Sequence, residues 1–92
     1  MQNALPENLK PLEREIRTYY RELPRLIAEG NEGRYALVRD DQLLSIWNSL
    51  EEASTAGHDR FGFERFMAQK IRSRDLEHLA PYFKVEEART GA

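Results

Sequence analysis

Residues 32–53 read EGRYALVRDDQLLSIWNSLEEA, and the fold turns on how this stretch divides. RYALVR (34–39) and QLLSIW (42–47) are rich in β-branched, aromatic and large aliphatic residues that suit strands. Only Asp40 and Asp41 separate them, the spacing of a two-residue hairpin without its usual glycine. Next, Ser49 stands three residues before Glu52, the capping-box pattern of a helix start, and Gly57 is expected to close that helix after about two turns. Pairing Arg39 with Gln42 sets Leu37 opposite Leu44 and Tyr35 opposite Ile46 on one side of the sheet. The other side then carries Ala36, Val38, Leu43, Ser45 and Trp47. Both sides are apolar, so each needs a cover.

On the N-terminal side, Leu9, Leu12, Ile16, Tyr19, Tyr20, Leu23, Leu26 and Ile27 recur at steps of three and four, which is helical periodicity. At about 100° per residue these cluster on one face, while Lys10, Arg14, Arg17, Arg21 and Arg25 form a basic ridge opposite. Pro24 predicts a kink or a break, because it lacks the amide that would bond the preceding turn. Gly30 follows as a left-handed cap. On the C-terminal side, RFMAQKIR (65–72) reads as a third strand with Phe66 and Ala68 on one face, Met67 and Ile71 on the other. RDLEHLAPYF (74–83) predicts one helical turn before Pro81, with Leu76, Leu79, Tyr82 and Phe83 seeking a surface.

The expected architecture is an α+β domain over residues 1–92: an N-terminal amphipathic helix, a hairpin, a short crossover helix, a third strand and a short C-terminal helix. Segments 1–8 and 86–92 are expected to be flexible ends. A right-handed crossover makes the second and third strands parallel, and placing the first between them gives spatial order 2-1-3. The crossover helix covers one sheet face. The first helix, the LEHLAPYF segment and a second copy of the chain compete for the other.

A helix ending in a glycine loop, Gly33-Arg34-Tyr35-Ala36-Leu37-Val38, the helix start Ser49-Leu50-Glu51-Glu52-Ala53 and Phe66-Met67-Ala68-Gln69-Lys70-Ile71 together resemble a family of short uncharacterised prokaryotic domains. The resemblance spans about residues 19–72. It implies a helix-plus-hairpin domain in a prokaryotic cytoplasm and carries no assigned activity.

Composition narrows the function classes. With 40% hydrophobic and 33% charged residues the chain is too apolar for disorder, and no apolar run reaches the roughly 18 residues of a membrane span. Zero cysteines exclude thiolate catalysis and cysteine-ligated metals. His58 and His78 lack the paired spacing of a helical metal site, Asp40 and Asp41 are too few for calcium, and Ser45, Ser49, Ser54 and Ser73 have no nucleophile elbow. The glycines are isolated, so no phosphate loop is present. The chain therefore reads as a non-catalytic module without a cofactor, metal or small-molecule substrate, cytoplasmic and with no membrane partner.

The expected partner is a second copy or another protein, met by a sticky sheet face around Val38, Leu43 and Trp47. The alternative is a nucleic-acid accessory protein. Charge is segregated, with a net −4 over residues 29–57 and +3 over 58–74 within an overall −2. Arg14, Arg17, Arg21 and Arg25, with Arg60, Arg65 and Lys70, would meet phosphates. The run RFGFERF (60–66) sets aromatic rings among arginines, as single-stranded recognition uses them. Its structural reading makes Phe61, Phe63 and Phe66 core anchors around a Gly62 turn.

Overall fold

The computed structural model describes the backbone of residues 7–90 and the side chains of residues 7–83. A 3-10 segment, Glu7–Leu12, leads into helix α1, Glu13–Ala28. Strands β1, Tyr35–Arg39, and β2, Gln42–Trp47, form the hairpin. Helix α2, Leu50–Phe61, precedes strand β3, Met67–Lys70, and helix α3, Asp75–Thr90. This is the expected α+β order. The expected flexible ends fall on helical backbone at 7–8 and 86–90, and residues 1–6 and 91–92 lie outside the described residues.

The sheet has the order β2-β1-β3, with both outer strands antiparallel to β1 and hence parallel to each other. Ile16, Tyr19, Leu23 and Leu26 of α1 are buried on one face of it, together with Ala36, Val38, Met67, Ile71 and Phe83; Leu43 and Ile46 pack against this cluster. Helix α2 packs across all three strands, so its axis crosses β1. Leu37, whose cross-strand neighbours are Ser45 and Ala68, is buried on that side. The chain itself thus covers both sheet faces: α1, with Phe83 of α3 beside it, takes the one left open above.

Three sequence expectations are corrected. The hairpin turns at Asp40-Asp41 with Arg39 opposite Gln42, but the register slips between Val38↔Leu43 and Leu37↔Ser45. Leu44 is the additional residue, a β-bulge. It converts the adjacent apolar pairs Leu43-Leu44 and Ile46-Trp47, which strict alternation would split wrongly, into a consistent partition. Leu43 and Ile46 reach the α1 side, while Leu44, Ser45 and Trp47 join Leu37 and Tyr35 on the α2 side.

The helices also run further than expected. α1 passes through Pro24 and α3 through Pro81, without the break predicted at either. Both prolines are solvent-exposed, so the ring lies on the outer side of its helix and away from the core. Gly57 lies inside α2, which continues to Phe61 and ends at Gly62 with φ 64°. Gly57 is buried where the Phe66 ring crosses the helix, and an added Cβ would collide with that ring. Its reason is close approach, not termination.

The remaining punctuation matches. Gly30, φ 82°, caps α1: Asn31 N donates to Leu26 O and Gly30 N to Ile27 O, both at 3.0 Å. That is the Schellman pattern. Ser49 Oγ accepts from Glu52 N at 3.1 Å, and Glu52 Oε1 accepts from Asn48 N at 3.1 Å.

Candidate interaction surface

The structure does not bring Val38, Leu43 and Trp47 together. Val38 is fully buried and Leu43 packs beside it under α1, whereas the bulge sends Trp47 to the opposite face. A different surface takes shape along β2. This strand is a sheet edge, and no hydrogen bond from elsewhere in the described chain reaches its outer side. Its sequence, QLLSIW, holds no charge, proline or glycine, so apart from the bulge it lacks the devices that blunt exposed edges. The other edge differs: the Lys70 carbonyl of β3 lies 3.1 Å from the Tyr19 hydroxyl and accepts from Gln69 Nε2 at 2.9 Å.

Two shallow grooves flank β2 on the α2 side, one at each end. At its C-terminal end a groove of about 410 Å³ is lined by Trp47, Glu51, Glu52, Thr55, Ala56 and Asp59. Trp47 is half-buried and its Nε1 donates to Ser45 Oγ at 2.7 Å. At the hairpin end a groove of about 420 Å³ includes Gln42, Leu44, Arg60 and Phe61. Arg39 forms its wall, 2.8 Å from Glu64 Oε1 with its guanidinium 4.7 Å from the Phe61 ring centre. Phe63, expected in the core, is fully exposed beyond this groove because the Gly62 turn points it outward; Leu50 is half exposed. Phe66 alone of the three phenylalanines meets both neighbours, His58 at 5.1 Å and Phe61 at 6.1 Å between ring centres.

The arginine ridge is present and interleaved with acids. Arg14 Nη1 lies 3.7 Å from Asp40, Arg17 pairs with Glu13 at 3.4 Å, and Arg25 bridges Glu22 at 2.8 Å and Glu29 at 3.1 Å. Arg25 holds the Glu22 carboxyl below its usual range, chiefly by hydrogen bonding. Arg21 donates to the Asp41 carbonyl at 2.9 Å, and Lys70 is exposed. Lys10, Arg14, Arg17 and Arg65 border one open hollow with Pro11 and Glu13. Arg60 stands apart, on the α2 side of the sheet.

Helical periodicity overlooked two buried polar clusters. Glu15 and Thr18, on the core side of α1, reach the hairpin turn. Glu15 Oε2 accepts the Asp40 amide at 2.6 Å and two Arg65 N–H groups at 3.4 Å, while Oε1 has no partner among the described residues. The Thr18 hydroxyl donates to the Asp40 carbonyl at 2.6 Å. Asp40 adopts φ 53°, a conformation glycine would take without cost, and these bonds from α1 hold it there. The sequence signal was the missing hairpin glycine, which implied an external support.

The second cluster joins α1 to the start of α3. Tyr19 OH donates to Asp75 Oδ2 at 2.7 Å and accepts the Arg72 amide at 3.2 Å. The Arg72 guanidinium approaches both Asp75 oxygens at 3.3 Å. Burial, partly countered by the Arg72 amide, pushes the Tyr19 phenol far above its ordinary value of 10.0. His78 Nδ1 lies 3.9 Å from Asp75 Oδ1 and His58 Nδ1 3.2 Å from the Gly62 carbonyl. Among the described residues no group of three or more metal-ligating side chains forms, and no helix is long and apolar enough to cross a membrane.

Fold and surface define a class, an α+β domain with helices on both faces of a small sheet and one bare edge strand. Comparison with protein-family models, curated proteins and solved structures gave no match.

Proposed function

We propose that this chain is a non-catalytic protein-interaction module of the cytoplasm that self-associates through the outer edge of β2. The observation that carries the reading is the uncharged strand Gln42–Trp47, which includes half-buried Leu44 and Trp47 and whose outer edge has no partner among the described residues. An edge of this kind templates pairing with another strand. A second identical edge satisfies it by two-fold symmetry, the commonest form of self-assembly. Unlike the sheet faces, this surface has no cover among the described residues.

Light scattering over a concentration series tests the reading, with Trp47→Asp beside the parent. The parent is expected to become a dimer within the micromolar range and the variant to remain a folded monomer by circular dichroism. A parent that stays monomeric at the highest soluble concentration overturns the proposal, whatever the variant does.

A second reading, nucleic-acid accessory protein, draws on the hollow bordered by Lys10, Arg14, Arg17 and Arg65. It predicts oligonucleotide binding that weakens steeply with salt. Absence of salt-sensitive binding in the micromolar range disposes of it.

A further inference from the structure

We propose that the groove between Trp47 and α2 is a docking site for a basic, arginine-bearing segment of another protein. This goes beyond the edge pairing, because the groove opens on the α2 side of the sheet whereas the outer amides of β2 lie in the sheet's plane.

The groove has an apolar floor and an acidic rim. At about 100° per residue, Glu51, Glu52, Thr55, Ala56 and Asp59 fall within about 140° of one another round α2, and Trp47 meets them from the end of β2. The short side chains of Thr55 and Ala56 leave a space of about 410 Å³ open between the carboxylates. The indole is oriented by its Nε1 bond to Ser45 Oγ at 2.7 Å and is only half-buried. Indole is the strongest aromatic partner for a cation, and a guanidinium can stack on it while pairing with a carboxylate.

The charge of the groove selects such a partner. Every ionisable group in its lining is a carboxylate, and no Lys, Arg or His lines it. Glu52 is engaged, its Oε1 accepting from Asn48 N at 3.1 Å. Glu51 and Asp59 form no ion pair among the described residues. Glu51 suits the first turn of α2, where the helix dipole favours an acid. Asp59 does not: it stands in the last turn, where the dipole disfavours a carboxylate, and no cation of the described chain pairs with it. A local rule broken without local compensation marks a functional position. Eight residues separate the two acids, about 12 Å along the helix. Two arginines four residues apart in an extended segment span about the same distance, at roughly 3.3 Å per residue. A second copy of this chain is the poorer occupant, because its arginine ridge is already interleaved with Glu13, Glu22 and Glu29.

Trp47 is its own reporter in the test, since the chain has one tryptophan. The full chain at fixed concentration is titrated with the peptide Gly-Arg-Gly-Ser-Gly-Arg-Gly, and Trp47 emission is followed at low and physiological salt. A saturable change with a submillimolar Kd is expected at low salt, weakening as salt rises. The same peptide with lysines should bind severalfold more weakly, and with glutamates not at all. Glu51→Gln with Asp59→Asn should weaken binding about tenfold. Both sites are exposed, so circular dichroism should be unchanged. Emission unaffected by the arginine peptide up to about 1 mM, or equal affinity in the doubly neutralised variant, overturns the proposal. Emission that responds to protein concentration and not to the peptide assigns the groove to a second copy and overturns it as well.

Discussion

Gly57 shows how one missing methyl group carries structural information. Alanine in a helix interior normally stabilises by about 1 kcal/mol over glycine. Here the added Cβ meets the Phe66 ring, and overpacking costs about 1–3 kcal/mol. Gly57→Ala should therefore fail to stabilise and should lower stability by up to about 2 kcal/mol in chemical denaturation, and Gly57→Ala with Phe66→Leu should recover most of any loss. A Gly57→Ala protein that is more stable than the parent contradicts the close approach. Tyr19 gives a prediction in pH. Its phenol is held protonated in the fold above the unfolded value of 10.0. The stabilisation is therefore complete below pH 10 and is lost as pH rises through the raised folded value. Tyr19→Phe should be less stable than the parent at neutral pH, through loss of the Asp75 bond, and should show a shallower decline from pH 9 to 11. Parallel declines in parent and variant would assign the alkaline loss to other groups. Neither residue's role was legible beforehand. The sequence marks Gly57 as a breaker and Tyr19 as a core aromatic, because a glycine under a ring and a phenol on a carboxylate are long-range arrangements. Phe66 lies nine positions from the first, and Asp75 is 56 positions from the second.

Strand β2 is the element where local pattern and tertiary packing part. Helix α1, the two-residue turn and the Ser49 cap are short-range signals, and each is visible in the sequence. The bulge is not, because period-two alternation has no rule for the pairs Leu43-Leu44 and Ile46-Trp47. Only the two helices, drawing Ile46 to α1 and Trp47 to α2, decide the partition. The consequence is a test by deletion. Removing Leu44 straightens the ladder and leaves every other β2 side chain on its present face. The cost should be about 1 kcal/mol, the share of a half-buried leucine out of roughly 1.5–3 for full burial. Removing Ile46 instead shifts Trp47 onto the Ala36 position under α1, an overpacked arrangement. The Leu44 deletion should give a cooperative thermal transition near the parent's, and the Ile46 deletion should not fold. Equal behaviour of the two deletions would contradict the assigned bulge. Similarly, Pro24 and Pro81 misled a local reading because a proline terminates a helix only when its neighbours let go. Here Leu23 and Leu26 on one helix and Phe83 on the other stay anchored in the core while the proline faces water.

For the whole molecule, the balance of covered and uncovered surface decides what is left for a partner. A chain of 92 residues buries only about 60–65% of its unfolded surface, and this one spends a helix on each sheet face. What remains apolar is displaced to the margin: the β2 edge, Trp47, Phe61, and Phe63 beyond them. For Trp47 that placement follows from the bulge, which separates it from Val38 and Leu43. Backbone amides report such an edge directly. In a monomer, the outward amides of Gln42–Trp47 exchange with solvent at rates set by local exposure, while the inward ones are held by β1. If two edges pair, the outward amides gain protection only where dimer forms. Hydrogen exchange of β2 should therefore slow with protein concentration across the micromolar range, whereas β3, whose Lys70 carbonyl is already engaged by Tyr19 and Gln69, should exchange at a constant rate. Concentration-dependent protection confined to α1 or β3 would move the interface to the arginine side of the molecule.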